Sequence, residues 1–128
     1  MAAPISSEDA LERWDLLAAE LGDPAISRSR MMGRPILTRE GTMFACLNGD
    51  SVGFKLGAGT PEHDGALDVP GAELFDPSGK GRPFKDWVSI PLAEAEQWLP
   101  FAQCAVMHVA GSEAGSESEA ESGSARGA

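Results

Sequence analysis

The sequence predicts an α+β fold, a two-layer α/β sandwich in the order α-β(3)-α-β(2)-α with an antiparallel sheet. Three observations carry that prediction. Residues 31–56, MMGRPILTREGTMFACLNGDSVGFKL, alternate in polarity between two-residue turn signals. Apolar residues recur at helical spacing on either side, over 8–21 and 92–109. Two shorter strand patterns follow the break at Gly57-Ala58-Gly59.

The central stretch reads as three consecutive strands. Asn48-Gly49 suits a type I′ turn, which needs positive φ at both central residues. One face then carries Met43, Ala45, Leu47, Val52, Phe54 and Leu56. Moving the turn to Gly49-Asp50 keeps that face, because the pairing shifts by two; a three-residue loop would oppose apolar to polar residues. Glu40-Gly41 closes the preceding hairpin and adds Ile36 and Thr38. The other face carries Leu37, Phe44, Cys46 and Lys55 and is half apolar, with Phe44 expected over Gly53.

The flanking elements follow in order. Ser6 caps a first helix over Glu8–Leu21, with Asp9 completing a capping box. Ala10, Leu11, Trp14, Leu17, Ala18 and Leu21 form its stripe, Trp14 being a core anchor, and Gly22 and Pro24 end it. Ile26–Arg30 leads into the first strand, which Gly33 and Pro35 interrupt as a bulge or an edge. Thr60 caps a short helix, Pro61–Leu67. Strands are expected at Glu73–Asp76 and Phe84–Ile90, around a glycine-rich loop at 77–81. Pro91 opens the last helix, in which Pro100 implies a kink or a break into two. Residues 1–110 thus form one domain. Residues 111–128, GSEAGSESEAESGSARGA, hold no large apolar residue and are expected to be a disordered tail.

Composition narrows the function classes. The chain has 128 residues, 42% hydrophobic and 23% charged, with a net charge of −10. That charge opposes binding to nucleic acid or an anionic membrane. Residues 25–86 balance eight bases (Arg28, Arg30, Arg34, Arg39, Lys55, Lys80, Arg82, Lys85) against eight acids (Glu40, Asp50, Glu62, Asp64, Asp68, Glu73, Asp76, Asp86). Arg28 and Arg30 share one strand face and, with Arg34, make a local basic patch. No signal peptide or membrane-length apolar run is read, and the address expected is cytoplasmic. Cys46 and Cys104 read as buried free thiols, with a disulfide open if strand and helix touch.

Motifs for catalysis are missing from the pattern. Ser78-Gly79-Lys80-Gly81-Arg82 fails the P-loop spacing, since Leu74 stands at the first glycine position and Gly81 follows Lys80. The loop reads as a solvent-exposed hairpin, with an anion site as the alternative. His63 and His108 lack ligand-spaced partners; His63 is expected to be solvated and His108 to suit a helix C-terminus. Glu94 and Glu96 do not face each other. No catalytic residue, metal or cofactor is expected. Lys55, Lys80, Arg82, Lys85 and Trp87 form the candidate anion or partner surface, with Trp87 read mainly as packing. Leu37, Phe44 and Cys46 form the candidate partner or dimer face.

Met32-Gly33, Gly41-Thr42-Met43-Phe44-Ala45 and Phe54-Lys55-Leu56 together resemble the N-terminal domain family of the TfoX/Sxy competence regulators. Leu74-Phe75-Asp76-Pro77, Gly81-Arg82-Pro83, Lys85-Asp86-Trp87-Val88 and Trp98-Leu99-Pro100 resemble its second half, so the likeness covers about residues 8–110. Met32, Thr42 and Phe84 depart from the family's usual Phe, Lys and Met. The resemblance implies the fold order given above. It also implies a regulatory role, and the related MmcQ/YjbR-like proteins are often labelled DNA-binding. Thr42 removes a positive charge from that pattern. The expected function is therefore a small non-catalytic regulatory or protein-interaction module, acting on a protein partner or on itself as a homodimer. The alternative is a nucleic-acid-binding transcription or competence regulator.

Overall fold

The computed structural model describes residues 4–118, and side chains for residues 4–111. The elements are α1 (Glu8–Leu21), β1 (Ile26–Met31), β2 (Arg34–Arg39), β3 (Thr42–Asn48), β4 (Ser51–Lys55), α2 (Pro61–Leu67), β5 (Glu73–Phe75), β6 (Phe84–Pro91), a 3₁₀ segment (Leu92–Gln97) and α3 (Trp98–Ser118). They form an antiparallel six-stranded sheet of order β1-β2-β3-β4-β6-β5, with helices packed on one face. The two-layer α+β architecture is the one expected.

It holds one strand more than expected before α2. Met32 and Gly33 have φ of 52° and 80°, so a tight turn joins β1 to β2 where the sequence suggests one interrupted strand. Ile26 pairs with Arg39 and Met31 with Arg34. Methionine seldom adopts a left-handed conformation, which is why this hairpin is hard to read. Pro35 lies opposite Arg30, at a position that gives β1 no N–H bond.

The β3–β4 turn falls at Gly49-Asp50, since Asn48 pairs with Ser51 and Cys46 with Gly53. The Glu40-Gly41 hairpin starts as expected, with Arg39 opposite Thr42 and Thr38 opposite Met43. Leu37 then pairs with Ala45, leaving Phe44 as the extra residue of a bulge. One residue of slip exchanges the faces. Leu37 and Phe44 join Ala45, Leu47, Val52, Phe54 and Leu56 beneath the helices, while Ile36 and Met43 move to the other face with Cys46.

Local capping agrees with the chemistry but shifts by a residue. Ser7 caps α1 by accepting from the Ala10 amide at 3.1 Å, and Gly22 ends the helix at φ 60°. Ser6 Oγ instead donates to the Gly49 carbonyl, tying the N-terminus to the β3–β4 turn. The last helix does break, but not at Pro100. The break falls in the 3₁₀ segment, where Glu94 is non-helical. Pro100 occupies the first turn of α3, where its missing N–H is not needed. Trp98 starts α3 and donates its indole N–H to the Ile90 carbonyl at 3.1 Å. The tail expected from residue 111 begins within α3, whose backbone is helical through Ser118; residues 119–128 lie outside the described residues.

The face without helices has its own small core of Ile36, Cys46, Phe75 and Trp87. Phe75, not Phe44, covers Gly53: a Cβ there would lie 2.5 Å from the Phe75 ring. Phe75 also stacks on Trp87 at 5.6 Å and meets Phe84 edge-on at 5.7 Å. Gly53→Ala should therefore overpack this contact and destabilise by about 1–3 kcal/mol. Urea unfolding checks this, and unchanged stability would show that Phe75 does not depend on the bare backbone.

Candidate functional site

The candidate partner face does not survive folding. Leu37, Phe44 and Cys46 are each 0% exposed. Leu37 and Phe44 fill the helix-side core because of the bulge, and Cys46 lies in the small core with Phe75 and Trp87. Helices thus cover Leu37 and Phe44, while Phe75 and Trp87 of the chain's own β5–β6 unit cover Cys46. The β5–β6 connection reaches across the sheet, because the Pro77 carbonyl accepts from Arg34 Nη2 on β2 at 3.1 Å. Arg34 Nε also donates to Asn48 Oδ1 at 2.7 Å.

The candidate anion surface is dispersed along β4, β6 and the loop between β5 and β6. Lys55 and Trp87 are register partners, but Trp87 is 6% exposed and offers no open ring face for stacking. Lys80, Arg82 and Lys85 are exposed. The loop amides that could cradle an anion already serve Asp76. Its carboxylate accepts from Ser78 Oγ at 3.0 Å and the Gly79 amide at 3.1 Å, and from the Gly81 amide at 2.9 Å. Desolvation pushes the Asp76 pKa up, but the Ser78, Gly81, Gly79 and Arg82 hydrogen bonds outweigh it and hold the carboxyl below its ordinary value.

The histidines and cysteines sit in quiet surroundings. His63 is buried rather than solvated, and its Nε2–H donates to the Lys85 carbonyl at 2.8 Å. Thr60 caps α2 through the His63 amide. His108 packs over Gly57, where a Cβ would lie 2.5 Å from the ring. A depression of about 230 Å³ is lined by His108, Cys104, Glu62, Thr60, Leu56 and Met107. Residues 104 and 108 are one helical turn apart, a signal the sequence did contain. Burial lowers the His108 pKa, aided by Lys55 and opposed by Asp86 and Glu62. Burial raises the Cys104 thiol, and Glu62 raises it further. Both groups are thus biased to their neutral forms, the reverse of an activated thiolate–imidazolium pair. Cys46 is pushed up to about 11 by burial, against the charge of Arg34. Both cysteines are unpaired. Among the described residues no group of three or more His, Cys, Asp or Glu is placed to hold a metal, and no helix is long and apolar enough to cross a membrane.

The strand β1 forms one edge of the sheet. Its four central residues, Ser27–Arg30, are exposed. The Glu40 amide donates to the Ala25 carbonyl, so alternation along the ladder turns the N–H and C=O groups of Arg28 and Arg30 away from β2. Beside this edge lies a groove of about 470 Å³ lined by Leu11, Trp14 and Asp15 of α1 with Arg28, Arg30 and Pro35 of the sheet. Arg28 bonds Asp15 through Nη2. Trp14 is 1% exposed, yet its indole Nε1 is buried without a hydrogen-bond partner among the described residues. Such an unmet donor costs about 1–3 kcal/mol. The sequence marked the two arginines by their alternation; the unmet indole could not be read from it.

Comparison with known proteins adds no name: no family model matches the chain, and no curated protein or solved structure does.

The Asp76 loop makes a pH prediction. A carboxyl whose folded pKa is depressed stabilises above its unfolded value, near 3.9, and loses that contribution as pH falls through the folded value. Asp76→Ala should lower the urea midpoint at neutral pH. The gap from the parent should shrink below about pH 4 as both come to lack the charge. A gap independent of pH would show that the carboxylate charge does not organise the loop.

Proposed function

We propose that this chain is a small non-catalytic regulatory module that binds a partner protein by strand addition at the free edge of β1. The carrying observation is that edge: β1 is six residues long and ends the sheet, with Arg28 and Arg30 presenting unpaired backbone groups. The opposite edge, β5, is only three residues. An exposed edge strand is a template for another chain unless something blocks it, and β1 itself contains neither proline nor lysine. The neutral thiols and imidazole support a binding role over a chemical one. The order of motifs that resembles the TfoX/Sxy N-terminal domain family supports a regulatory setting, and two unpaired cysteines suit the cytoplasm.

Hydrogen exchange tests the edge. The Arg28 and Arg30 amides should exchange fast in the free protein, and those of Ser27 and Ser29 slowly. In a panel of short β-forming peptides of differing charge, binding should slow Arg28 and Arg30. If no peptide protects these amides, strand addition is wrong. Light scattering addresses the homodimer, and a dimer whose formation protects the same amides would make a second copy the partner.

Nucleic-acid binding is the second reading, favoured by the exposed Lys80, Arg82 and Lys85 and the β1 arginines. Several bases are already engaged, however: Arg28 with Asp15, Arg39 with Asp23, and Arg34 with Asn48 and Pro77. An ordinary duplex binder uses about six to ten phosphate contacts. Duplex affinity should therefore be no tighter than roughly 10⁻⁴ M at physiological salt. Fluorescence anisotropy decides, and micromolar, salt-sensitive binding would replace the first reading with this one.

A further inference from the structure

We infer that the groove between α1 and β1 recognises an extended acidic segment of the partner protein, with carboxylates at alternate positions. The inference rests on the strand-addition reading above and names the class of sequence that the edge selects.

Three features of the groove converge. Arg28 and Arg30 stand two residues apart on its β1 wall, the spacing at which an added strand presents successive side chains to one face. Among the described residues Arg30 has no carboxylate partner, and its recorded bond is to the Gly33 carbonyl at 3.3 Å. Arg28 holds Asp15 through one nitrogen, and a guanidinium has further donors for a second carboxylate. The third feature is Trp14, a lining residue whose buried indole N–H lacks an acceptor. By contrast the other helical indole, Trp98 at the start of α3, donates to the Ile90 carbonyl. The Trp14 N–H is shielded from solvent, so a carboxylate beside Arg30 becomes its acceptor only as the groove opens on binding, and the guanidinium offsets the carboxylate's desolvation.

Alternative occupants fit less well. In a two-fold pairing of β1 with a second copy, the registers centred on Arg28 or Ser29 set Arg28 opposite an arginine of the other chain, and like charges directly opposite are destabilising. A nucleic acid would run its phosphates along α1, which carries Glu8, Asp9, Glu12, Asp15 and Glu20 against Arg13 alone. An added strand instead runs along β1 and sets its alternate carboxylates against the Arg28 and Arg30 wall of the groove.

The test titrates three labelled peptides into the full chain: one alternating glutamate with valine, its glutamine counterpart, and one of the same composition with the glutamates adjacent. The expected result has three parts: the alternating acidic peptide binds best, the Arg28 and Arg30 amides become protected, and the Trp14 indole N–H resonance moves on binding. Arg30→Gln, at an exposed position, should weaken binding about tenfold; Trp14→Phe should do the same while keeping the ring. Equal binding of the glutamine peptide, with the amides protected, overturns the acidic preference and leaves strand addition standing. Failure of every peptide overturns both. Acidic binding unaffected by Arg30→Gln places the site elsewhere and overturns the inference. The chain carries an alternating sequence of its own, Glu117-Ser118-Glu119-Ala120-Glu121. Binding seen only after those three glutamates become glutamine would make that segment the occupant and overturn the choice of a partner.

Discussion

The single extra residue in β3 governs which side chains this protein hides and which it shows. Without a bulge at Phe44, the Glu40-Gly41 hairpin would pair Leu37 with Phe44 and Ile36 with Ala45, and the helices would cover Ile36 and Met43. With it, Leu37 pairs with Ala45. Phe44 then turns inward beside Ala45 among the core residues Trp14, Trp98 and Val109. A slip of one residue inverts every side chain beyond it, so the bulge exchanges the two faces over half of β2. The helix layer gains a phenylalanine and a leucine. The opposite face keeps smaller and more adaptable groups, which one hairpin can cover.

That cover is the second dependency. Gly53 leaves a bare patch of backbone in β4, and Phe75 fills it. Trp87 stacks on the same ring, and Arg34 fixes the connection to β2 through the Pro77 carbonyl. The helix-free face therefore closes with groups from the chain itself. This is why Cys46 presents no surface, while the bulge puts Leu37 and Phe44 beneath the helices; no partner or second copy is needed to bury the three. Among the described residues, what remains incompletely satisfied is the backbone edge of β1, beside two alternating arginines, and the indole donor of Trp14.

The ionisable groups follow the same division. Where the chain carries thiols and imidazoles it desolvates them toward neutral forms, at Cys46, Cys104 and His108. Where it places a depressed carboxylate, at Asp76, the hydrogen-bond donors belong to its own loop. Charge is left available at the rim, on Arg30, Lys80, Arg82 and Lys85.

Sequence alone determined the extents of α1 and α2, because stripe, cap and breaker act within a few positions of one another, although the α1 cap falls at Ser7 and not Ser6. It determined the turn pair at Glu40-Gly41 and the alternation that sets Arg28 and Arg30 on one face; the next turn, read at Asn48-Gly49, falls one residue later at Gly49-Asp50. These are local signals of steric and capping chemistry. The tertiary structure alone decided the Met32-Gly33 turn, the bulge at Phe44, the burial of His63 and the choice of Phe75 to cover Gly53. Each depends on a contact between residues distant in the chain or on a conformation its residue type disfavours. The unmet N–H of Trp14 belongs with them. A tryptophan in an apolar stripe announces that its ring will be buried, but only the packed neighbours determine whether its nitrogen finds an acceptor.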